Sequence, residues 1–481
     1  MHRRLRHPRF RAVLITLLAV AALGASPRAT KDPDHLLVLS TTDVKGKTSP
    51  CGCHTPKGGF ARRASFVDSV RAEHDQVLLV DAGGFFPETD AQQDAGPFVL
   101  QTMKTLGTVA AGVGDRELHF GFAYLRESAR KAGMPLVCAN LIEKKTGKPA
   151  FTPSLVTTVG RVKVGIFGLM NAEVDLGPGR DSLAVQDPAA VAARTVAALR
   201  KQGATVIVLL SQLGKVESED LVTAVDGIDV AIVGRNVPLL QRGRMIKNTV
   251  TCYGGEQGWY VGRTNVTLDA AGRMASGDNE MFMLGPEVET KRAVFQVVKE
   301  FEDALNDRLR LREKERAAAA GLGAGAANAD AVDHYVGVDV CARCHPSEFR
   351  QWKETPHARA WQTLVDLKKD ATPECVSCHV VGFEKPGGYR TADDVAKLSN
   401  VQCESCHGMG TRHEAYAKSK AAVPEATCRG CHDGTTSPAF SFALYRPHIL
   451  HTPQASLPAL PPNPAKAKMK ADAMRTVPGT H

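Results

Sequence analysis

The feature that most constrains this chain is a C-x-x-C-H motif that occurs four times between residues 341 and 432. At this content of cysteine and histidine, chance predicts on the order of 0.01 such motifs. Two cysteines three residues apart reach the two vinyl groups of one porphyrin, while the adjacent imidazole approaches the iron. The motifs therefore predict four covalently bound haem c groups. The attachment cysteines are Cys341, Cys344, Cys375, Cys378, Cys403, Cys406, Cys428 and Cys431, and the proximal histidines are His345, His379, His407 and His432.

Paired structural zinc sites, in which two C-x-x-C units share one ion, are the alternative explanation of these cysteines. That alternative leaves the four adjacent histidines without a role, and it does not require export of the protein. We therefore favour haem attachment over zinc.

The sixth iron positions need ligands, and this part of the chain has five further histidines. The distal candidates are His357, His413, His448 and His451, and His334 is a fifth spare imidazole. Iron with two histidine ligands transfers electrons, whereas iron with an open position can bind and reduce a small molecule. The number of distal histidines that engage therefore decides between an electron wire and a catalytic haem, and we favour the wire.

Three segments of this region resemble the multihaem cytochrome family typified by the tetrahaem electron carrier of nitrifying bacteria. They are residues 349–358, residues 400–413 and residues 446–451. The resemblance covers nearly all of residues 334–451, and it implies His357 and His413 as distal ligands, with His448 or His451 completing others. Met409 departs from the family pattern, in which proline is usual after His407-Gly.

Composition divides the rest of the chain. Residues 1–26 have five arginines, an apolar stretch and a small-residue cleavage site, which indicate a signal peptide and a periplasmic or otherwise exported protein. A membrane anchor is the alternative, but the stretch Ala12 to Gly24 is shorter than the roughly 20 residues that span a bilayer. The predicted divisions are the signal peptide 1–26, an α/β domain 35–286, a long helix and Ala/Gly linker 287–333, the tetrahaem domain 334–451 and a disordered tail 452–481.

The formal charge of +9 first suggests a nucleic-acid partner. However, the excess of positive charge lies at the two ends. Residues 1–26 carry five arginines and no acidic residue, and residues 452–481 carry four basic residues against one aspartate. We therefore expect no nucleic-acid binding, and redox proteins of an exported electron-transfer chain as partners.

Residues 35–266 alternate short apolar runs with amphipathic windows, which is typical of an α/β sandwich. Predicted strands include 162–169 and 204–210, and a charged helix is predicted over 287–316. The sequences at residues 35–43, 78–84, 113–121, 208–212 and 230–234 resemble metallophosphatases of the periplasmic 5′-nucleotidase and UDP-sugar hydrolase type. The resemblance implies the calcineurin-like metallophosphatase fold, followed here by a mostly α-helical and irregular multihaem cytochrome c domain.

Enzymes of that family hold two divalent ions with Asp, His and Asn at strand ends, and these ions activate water. Only the first ligand is retained here, so we expect no intact dinuclear metal site. Three basic residues instead bring positive charge that opposes metal binding, which suggests a small anionic substrate. The predicted vestigial metal or anion site comprises Asp43, Lys45, Asp115, Arg116, Gln212 and Arg235.

Two cysteines, Cys51 and Cys53, follow Asp43 on a glycine-rich loop with nearby cations. Cationic surroundings lower the pKa of a thiol and make it reactive, so both are candidate redox thiols. The loop resembles one in an exported 5′-nucleotidase-like branch in which some members have selenocysteine. A local disulfide between the two, or thiols without a role, is the alternative.

Three functions follow from these features. The first is an exported tetrahaem cytochrome coupled to a degenerate metallophosphatase-like domain that binds an anion and performs thiol redox chemistry. The second is a metal-dependent hydrolase, a phosphoesterase or thiosulfohydrolase-like enzyme, with haem-linked electron transfer. The third is a non-catalytic electron carrier that docks on a partner. Because the metal ligands are mostly lost, nucleotide hydrolysis is not expected, and oxidoreductase activity is the enzymatic hypothesis.

Overall fold

The computed structural model describes residues 32–51, 55–319, 333–385, 387–416, 422–434, 436–437 and 439–451. The predicted signal peptide, the tail 452–481, Cys53 and residues 320–332 of the predicted linker lie outside these ranges and stay predictions.

The part of the chain before residue 320 alternates strands and helices, as its periodicity predicts. The strands are β1 (His35–Thr41), β2 (Val77–Asp81), β3 (Ala110–Gly112), β4 (Leu136–Val137), β5 (Leu141–Glu143), β6 (Ser154–Val159), β7 (Val162–Met170), β8 (Leu183–Val185), β9 (Val206–Gln212), β10 (Val230–Val233), β11 (Arg244–Ile246), β12 (Thr249–Tyr253), β13 (Tyr260–Leu268) and β14 (Met274–Met283). The helices are α1 (Phe60–Glu73), α2 (Ala95–Thr105), α3 (Asp115–Leu118), α4 (Phe122–Ala132), α5 (Pro188–Lys201), α6 (Lys215–Ala224) and α7 (Arg292–Ala319).

Two six-stranded sheets form the centre of this part. The first has the order β14-β13-β1-β2-β3-β4, and the second has the order β11-β12-β10-β9-β7-β6. Strands β1 to β4 are parallel in the first sheet, and β12, β10, β9 and β7 are parallel in the second. Antiparallel pairs close the edges, and the short pair β5 and β8 stands apart.

The alternation of side chains along β1 shows how the layers form. Leu36 and Val38 face the second sheet and lie in a core cluster with Val164 and Val208, whereas Leu37 and Leu39 face the helices on the outer side. A third cluster packs α5 and α6 on the other side of the second sheet. The arrangement is therefore helix, sheet, sheet, helix, which confirms the predicted α/β sandwich.

Helix α7 leaves the sandwich and approaches the C-terminal part. Its Phe301 ring stacks on Phe98 of α2, with ring centroids 3.9 Å apart. The helix begins at Arg292, later than the predicted residue 287, and it extends past residue 316 into the alanine run, because alanine is the best helix former. Among the described helices, none has an apolar stretch long enough to cross a bilayer.

The C-terminal part is made of short helices joined by irregular chain, as predicted. They are α8 (Val338–Cys344), α9 (Pro346–Lys353), α10 (Ala360–Asp366), α11 (Pro373–His379), α12 (Val395–Leu398), α13 (Cys403–His407), α14 (Thr411–Tyr416), α15 (Glu425–Arg429) and α16 (Phe442–Tyr445). Its buried apolar cluster is small and contains Tyr335, Leu364, Val376, Val380, Val381, Tyr389 and Leu398. A polypeptide core of this size is modest for such a length of chain, as expected where large cofactors provide much of the packing surface.

Candidate functional site

Each C-x-x-C-H motif is carried by a short helix, and this explains its geometry. The first motif ends α8, the second ends α11, the third forms α13, and the fourth begins in α15. Residues three apart lie on the same face of a helix, so both cysteines of a motif point to one side. The motifs therefore present two thiols and one imidazole together, as haem attachment requires.

Three of the proximal histidines face a second histidine. The ring centroids of His345 and His413 are 5.9 Å apart, with 23° between the ring planes. The corresponding distance is 6.2 Å in each of the other two pairs, which are His432 with His357 and His407 with His451.

These separations fit a metal ion held between two imidazoles. Two rings that share one ion have centres about 6 Å apart, because a metal–imidazole bond is about 2 Å long and each ring centre lies about 1 Å beyond its nitrogen. The structure therefore brings together three of the four distal candidates with proximal partners. Iron bound in this way exchanges single electrons without an open position for substrate.

The fourth distal candidate, His448, lies on a 3-10 turn at Arg446–Ile449. Within the described part of the chain it makes no ring contact with a proximal histidine. Of the two alternatives that the sequence left open, His451 is therefore the one that faces a C-x-x-C-H histidine, His407.

Hydrogen bonds hold two of the proximal rings in place. The Nδ1 atom of His379 contacts the Ala360 carbonyl oxygen, and Nδ1 of His432 lies 2.9 Å from the Ser437 hydroxyl. Since a carbonyl can only accept, Nδ1 of His379 is the donor, which leaves its Nε2 atom to bind iron. Partners of this kind orient a ligand ring and raise its basicity.

The cysteines of different motifs show which motifs are neighbours. The Cys341 thiol of the first motif lies beside the Cys403 thiol of the third, and the Cys378 thiol of the second motif lies beside Cys431 of the fourth. Cys406 of the third motif also lies near the fourth, because it interacts electrostatically with Cys428. The sites therefore follow one another in the order first, third, fourth, second, and the second motif ends the row.

The residues of the predicted vestigial site lie at or just beyond the carboxyl ends of the parallel strands. Asp43 is buried, and its carboxylate accepts hydrogen bonds from the Arg235 backbone N–H at 3.0 Å and the Thr42 hydroxyl at 3.1 Å. The Gln212 amide donates to Thr42 at 3.4 Å. A Cβ atom at Gly84 would overlap the Asp43 carboxylate, so no carboxylate side chain fits there. Burial raises the pKa of Asp43 although cations lie nearby.

The three cations of this site are not free to act together on an anion. Each forms an ion pair with a carboxylate: Lys45 with Glu256 at 2.7 Å, Arg116 with Glu88 at 2.6 Å, and Arg235 with Asp115 at 3.8 Å. These partners offset the positive charge that the sequence suggested for an anion site. Among the described residues, no group of three or more His, Cys, Asp or Glu side chains is placed to hold a metal ion.

Glu117 is a site residue to which the sequence reasoning gave no role. Its fully buried carboxylate accepts four backbone N–H bonds, from Gly84 at 3.0 Å, Phe85 at 2.7 Å, Phe86 at 3.1 Å and Gly114 at 2.8 Å. Burial raises the pKa of Glu117, and the four donors oppose that rise. The residue fixes the loop after β2 against Asp43, and its position in the Asp115-Arg-Glu run was the available signal.

Cys51 is half-buried, and neighbouring side chains contact its sulfur. Its sulfur accepts a hydrogen bond from the Trp259 indole N–H at 2.8 Å and lies 3.6 Å from Gln257 Oε1. The Trp259 bond and the cations Lys47 and Lys369 lower the pKa of the thiol, but burial outweighs them and the net pKa is raised. This differs from the expectation of a reactive thiolate, because the sequence shows the cations and not the burial.

The other two cysteines of the first part lie in separate apolar clusters, Cys138 in the outer helical layer and Cys252 between the sheets. Burial raises their pKa values to about 12 and about 11. Both are therefore core thiols that stay protonated at neutral pH.

Residues 368–374, here called the docking segment, join the C-terminal part to the first. The Asp370 carboxylate accepts hydrogen bonds from Arg310 and Asn306 of α7, each at 3.2 Å. The Glu374 carboxylate lies 3.3 Å from Lys47 Nζ and accepts a bond from Gln92 at 2.8 Å. Because α11 begins within this segment, the second motif lies against the first part of the chain.

Comparisons with known proteins divide the chain in the same way. Residues 340–408 match the family Cytochrome c554 and c-prime. The first part is similar to a 2′,3′-cyclic-nucleotide 2′-phosphodiesterase/3′-nucleotidase of Yersinia enterocolitica, 29% identical over 259 residues that cover 47% of this chain and 40% of that protein. It is also similar to the snake venom 5′-nucleotidase of Gloydius brevicauda, 27% identical over 57% of this chain and 50% of that enzyme.

A similar solved structure is the Thermus thermophilus sulfate thiohydrolase SoxB, with a TM-score of 0.51 and 15% identity over 57% of this chain and 61% of that one. This likeness supports the fold alone, and the predicted metallophosphatase fold is confirmed. The chain spans half or less of the length of the two curated relatives.

Proposed function

We propose that this chain is an exported tetrahaem c-type cytochrome that transfers electrons, coupled to a metallophosphatase-like module that no longer hydrolyses phosphate esters. The observation that carries the proposal is the set of three histidine pairs with ring centroids about 6 Å apart, each containing a C-x-x-C-H histidine. The cytochrome family match over residues 340–408 supports it independently. The four motifs support a count of four haems.

The continuous row of attachment sites supports electron transfer over small-molecule reduction. At three of the four sites a histidine on both sides of the iron leaves no position for a substrate, and neighbouring sites let electrons pass along the row. Redox proteins of an exported chain are the partners that fit this role, and nucleic acid is not among them. Export is in keeping with the predicted signal peptide.

The side chains of the first module indicate what this module contributes to the proposed function. Ion pairing of Lys45, Arg116 and Arg235 reduces the support for a small anionic substrate, and the raised pKa of Cys51 reduces the support for a nucleophilic thiolate. The contacts of the docking segment favour a module that positions the haem domain. Redox chemistry by Cys51 and Cys53 is a secondary part of the proposal.

A metal-dependent hydrolase is the second candidate, and its support is the similarity of the first module to nucleotidases. The available donor groups argue against it. Where the family has metal ligands, this chain has Lys45, Gly84, Arg116, Gln212 and Arg235. Purified protein should hydrolyse bis(p-nitrophenyl) phosphate no faster with added manganese or zinc than without it. Metal-dependent turnover, abolished by Asp43→Ala, would establish the hydrolase.

A screen with a chemically reduced viologen donor tests the leading proposal against an oxyanion reductase. An electron carrier should accept electrons from the donor rapidly and should then pass them only slowly to sulfur and nitrogen oxyanions. Rapid turnover of one oxyanion would contradict the carrier function, and its loss in Cys51→Ala would place that activity at the thiol.

A further inference from the structure

The docking segment contains one lysine, Lys369, that reaches the loop of Cys51. Its ammonium group donates to the Ser49 hydroxyl at 3.0 Å and lies 3.6 Å from the Glu302 carboxylate of α7. The Thr48 hydroxyl donates to that same carboxylate, so the loop, α7 and the docking segment meet at Glu302. The Lys369 side chain keeps 30% of its surface exposed and is otherwise covered by these elements.

The charge of Lys369 lies between one thiol from each module. It interacts electrostatically with Cys51 of the first module and with Cys375, the first attachment cysteine of the second motif. The Glu302 carboxylate raises the pKa of Lys369 more than burial lowers it, so the side chain is a cation at neutral pH. A positive charge held beside a redox centre in a partly dehydrated interface favours the reduced form of that centre.

We propose that Lys369 is a positioning residue that clamps the second haem motif onto the first module and raises the reduction potential of the haem bound there. The inference rests on the proposed function only in taking Cys375, Cys378 and His379 as a haem site. Since Glu302 belongs to α7 and not to the haem domain, the potential of this end of the row depends on the first module. By reciprocity, reduction of this haem strengthens the docking contact through the cation.

The neighbouring residue provides a matched control. Lys368 precedes Lys369 directly, but its ammonium group pairs with Asp303 at 3.1 Å and its side chain is 50% exposed. A charge in this position is neutralised locally and screened by solvent. Lys368→Met and Lys369→Met therefore remove the same charge from adjacent positions, one away from the interface thiols and one beside them.

Spectroelectrochemical titration of the full haem-loaded chain tests the proposal. In Lys369→Met, one of the four haem components should move to lower potential, so that its ratio of reduced to oxidised haem at the wild-type midpoint falls several-fold. Lys368→Met should leave all four components in place. Glu302→Gln, which keeps the acceptor for Thr48 and removes the compensating charge, should move the same component to higher potential.

The potential shifts expected for Lys369→Met and Glu302→Gln have opposite signs. Loosened packing would instead shift the potential in the same direction in both variants, so the signs identify an electrostatic effect. Cys375→Ala with Cys378→Ala should delete the component that moves. Unchanged potentials in Lys369→Met, or an equal shift in Lys368→Met, would overturn the inference. A chain that takes up no haem would instead contradict the proposed function, and haem content measured beforehand distinguishes the two outcomes.

Discussion

The carboxylate of Glu117 accepts a hydrogen bond from the backbone N–H of Phe85 at 2.7 Å, and three more backbone donors share the same side chain. Two donors point to each oxygen. In Glu117→Gln one oxygen becomes an NH₂ group that cannot accept, so two buried N–H groups lose their partners. We expect the free energy of unfolding to fall by about 2 to 5 kcal/mol.

Urea unfolding followed by circular dichroism measures this loss. Glu127→Gln on α4 is the matched control, because that glutamate is exposed and pairs with Arg130 on the surface. The control should unfold almost as the wild type does. Equal stability of the two variants would show that Glu117 does not hold the loop.

Asp81 predicts a pH dependence of stability. Burial raises its pKa from the ordinary value of 3.8 to about 7. The folded chain therefore holds this proton to higher pH than the unfolded chain does, and the free energy of unfolding falls as pH rises from about 4 to 7. Asp81→Asn removes the titration and should flatten that slope by up to about 1.4 kcal/mol per pH unit.

Unfolding in urea across this pH range gives the slope. Asp34→Asn is the control, since Asp34 lies at the surface in an ion pair with Arg161. A slope that is the same in wild type and Asp81→Asn would mean that the Asp81 carboxyl is ionised throughout.

The histidine pairs predict which substitutions change the spin state of iron. His413→Ala and His451→Ala should each convert one low-spin haem to high spin, because each removes one of the two axial imidazoles. His448→Ala should leave all spectra unchanged. Electron paramagnetic resonance of the oxidised protein reads out the change. A high-spin signal in His448→Ala, with none in His451→Ala, would reverse the assignment.

The indole of Trp259 predicts the reactivity of Cys51. Removing its hydrogen bond in Trp259→Phe takes away a group that stabilises the thiolate, so Cys51 should alkylate only at still higher pH. Iodoacetamide labelling against pH, in a Cys53→Ala background, measures this. Trp352→Phe is the control, because that indole donates to the Val401 carbonyl in the haem domain. Labelling of Cys51 at lower pH in Trp259→Phe would contradict the account.

The sequence predicted those parts of the fold in which burial and periodicity agree. The mainly apolar run at 162–169 becomes the buried strand β7, which is one residue longer. Strands β13 and β14 were not predicted, and β14 carries exposed polar residues with little alternation along its length. The end of α7 was set too early because a run of alanines reads as a linker although alanine favours helix.

The parts of the candidate sites that depend on residues close together in the sequence were predictable. Each C-x-x-C-H motif identifies its own attachment cysteines and proximal histidine, because the geometry of haem attachment is set within the five residues of the motif. The pairing of His451 with His407 depends on chain separated by more than 40 residues, which no local spacing encodes. The pKa of Cys51 likewise depends on burial, on the hydrogen bond from Trp259 and on Lys369 of the docking segment, and both of these residues are far away in the sequence.

The central claim is that four haems form a row with histidine on both sides of three of the irons. Its most direct test is the haem c content per chain of the exported, purified protein, determined as the pyridine haemochrome and combined with the low-spin signal of the oxidised form. The account predicts four haems per chain, at least three of them low spin. Zinc in place of haem, or a mainly high-spin protein, would contradict it.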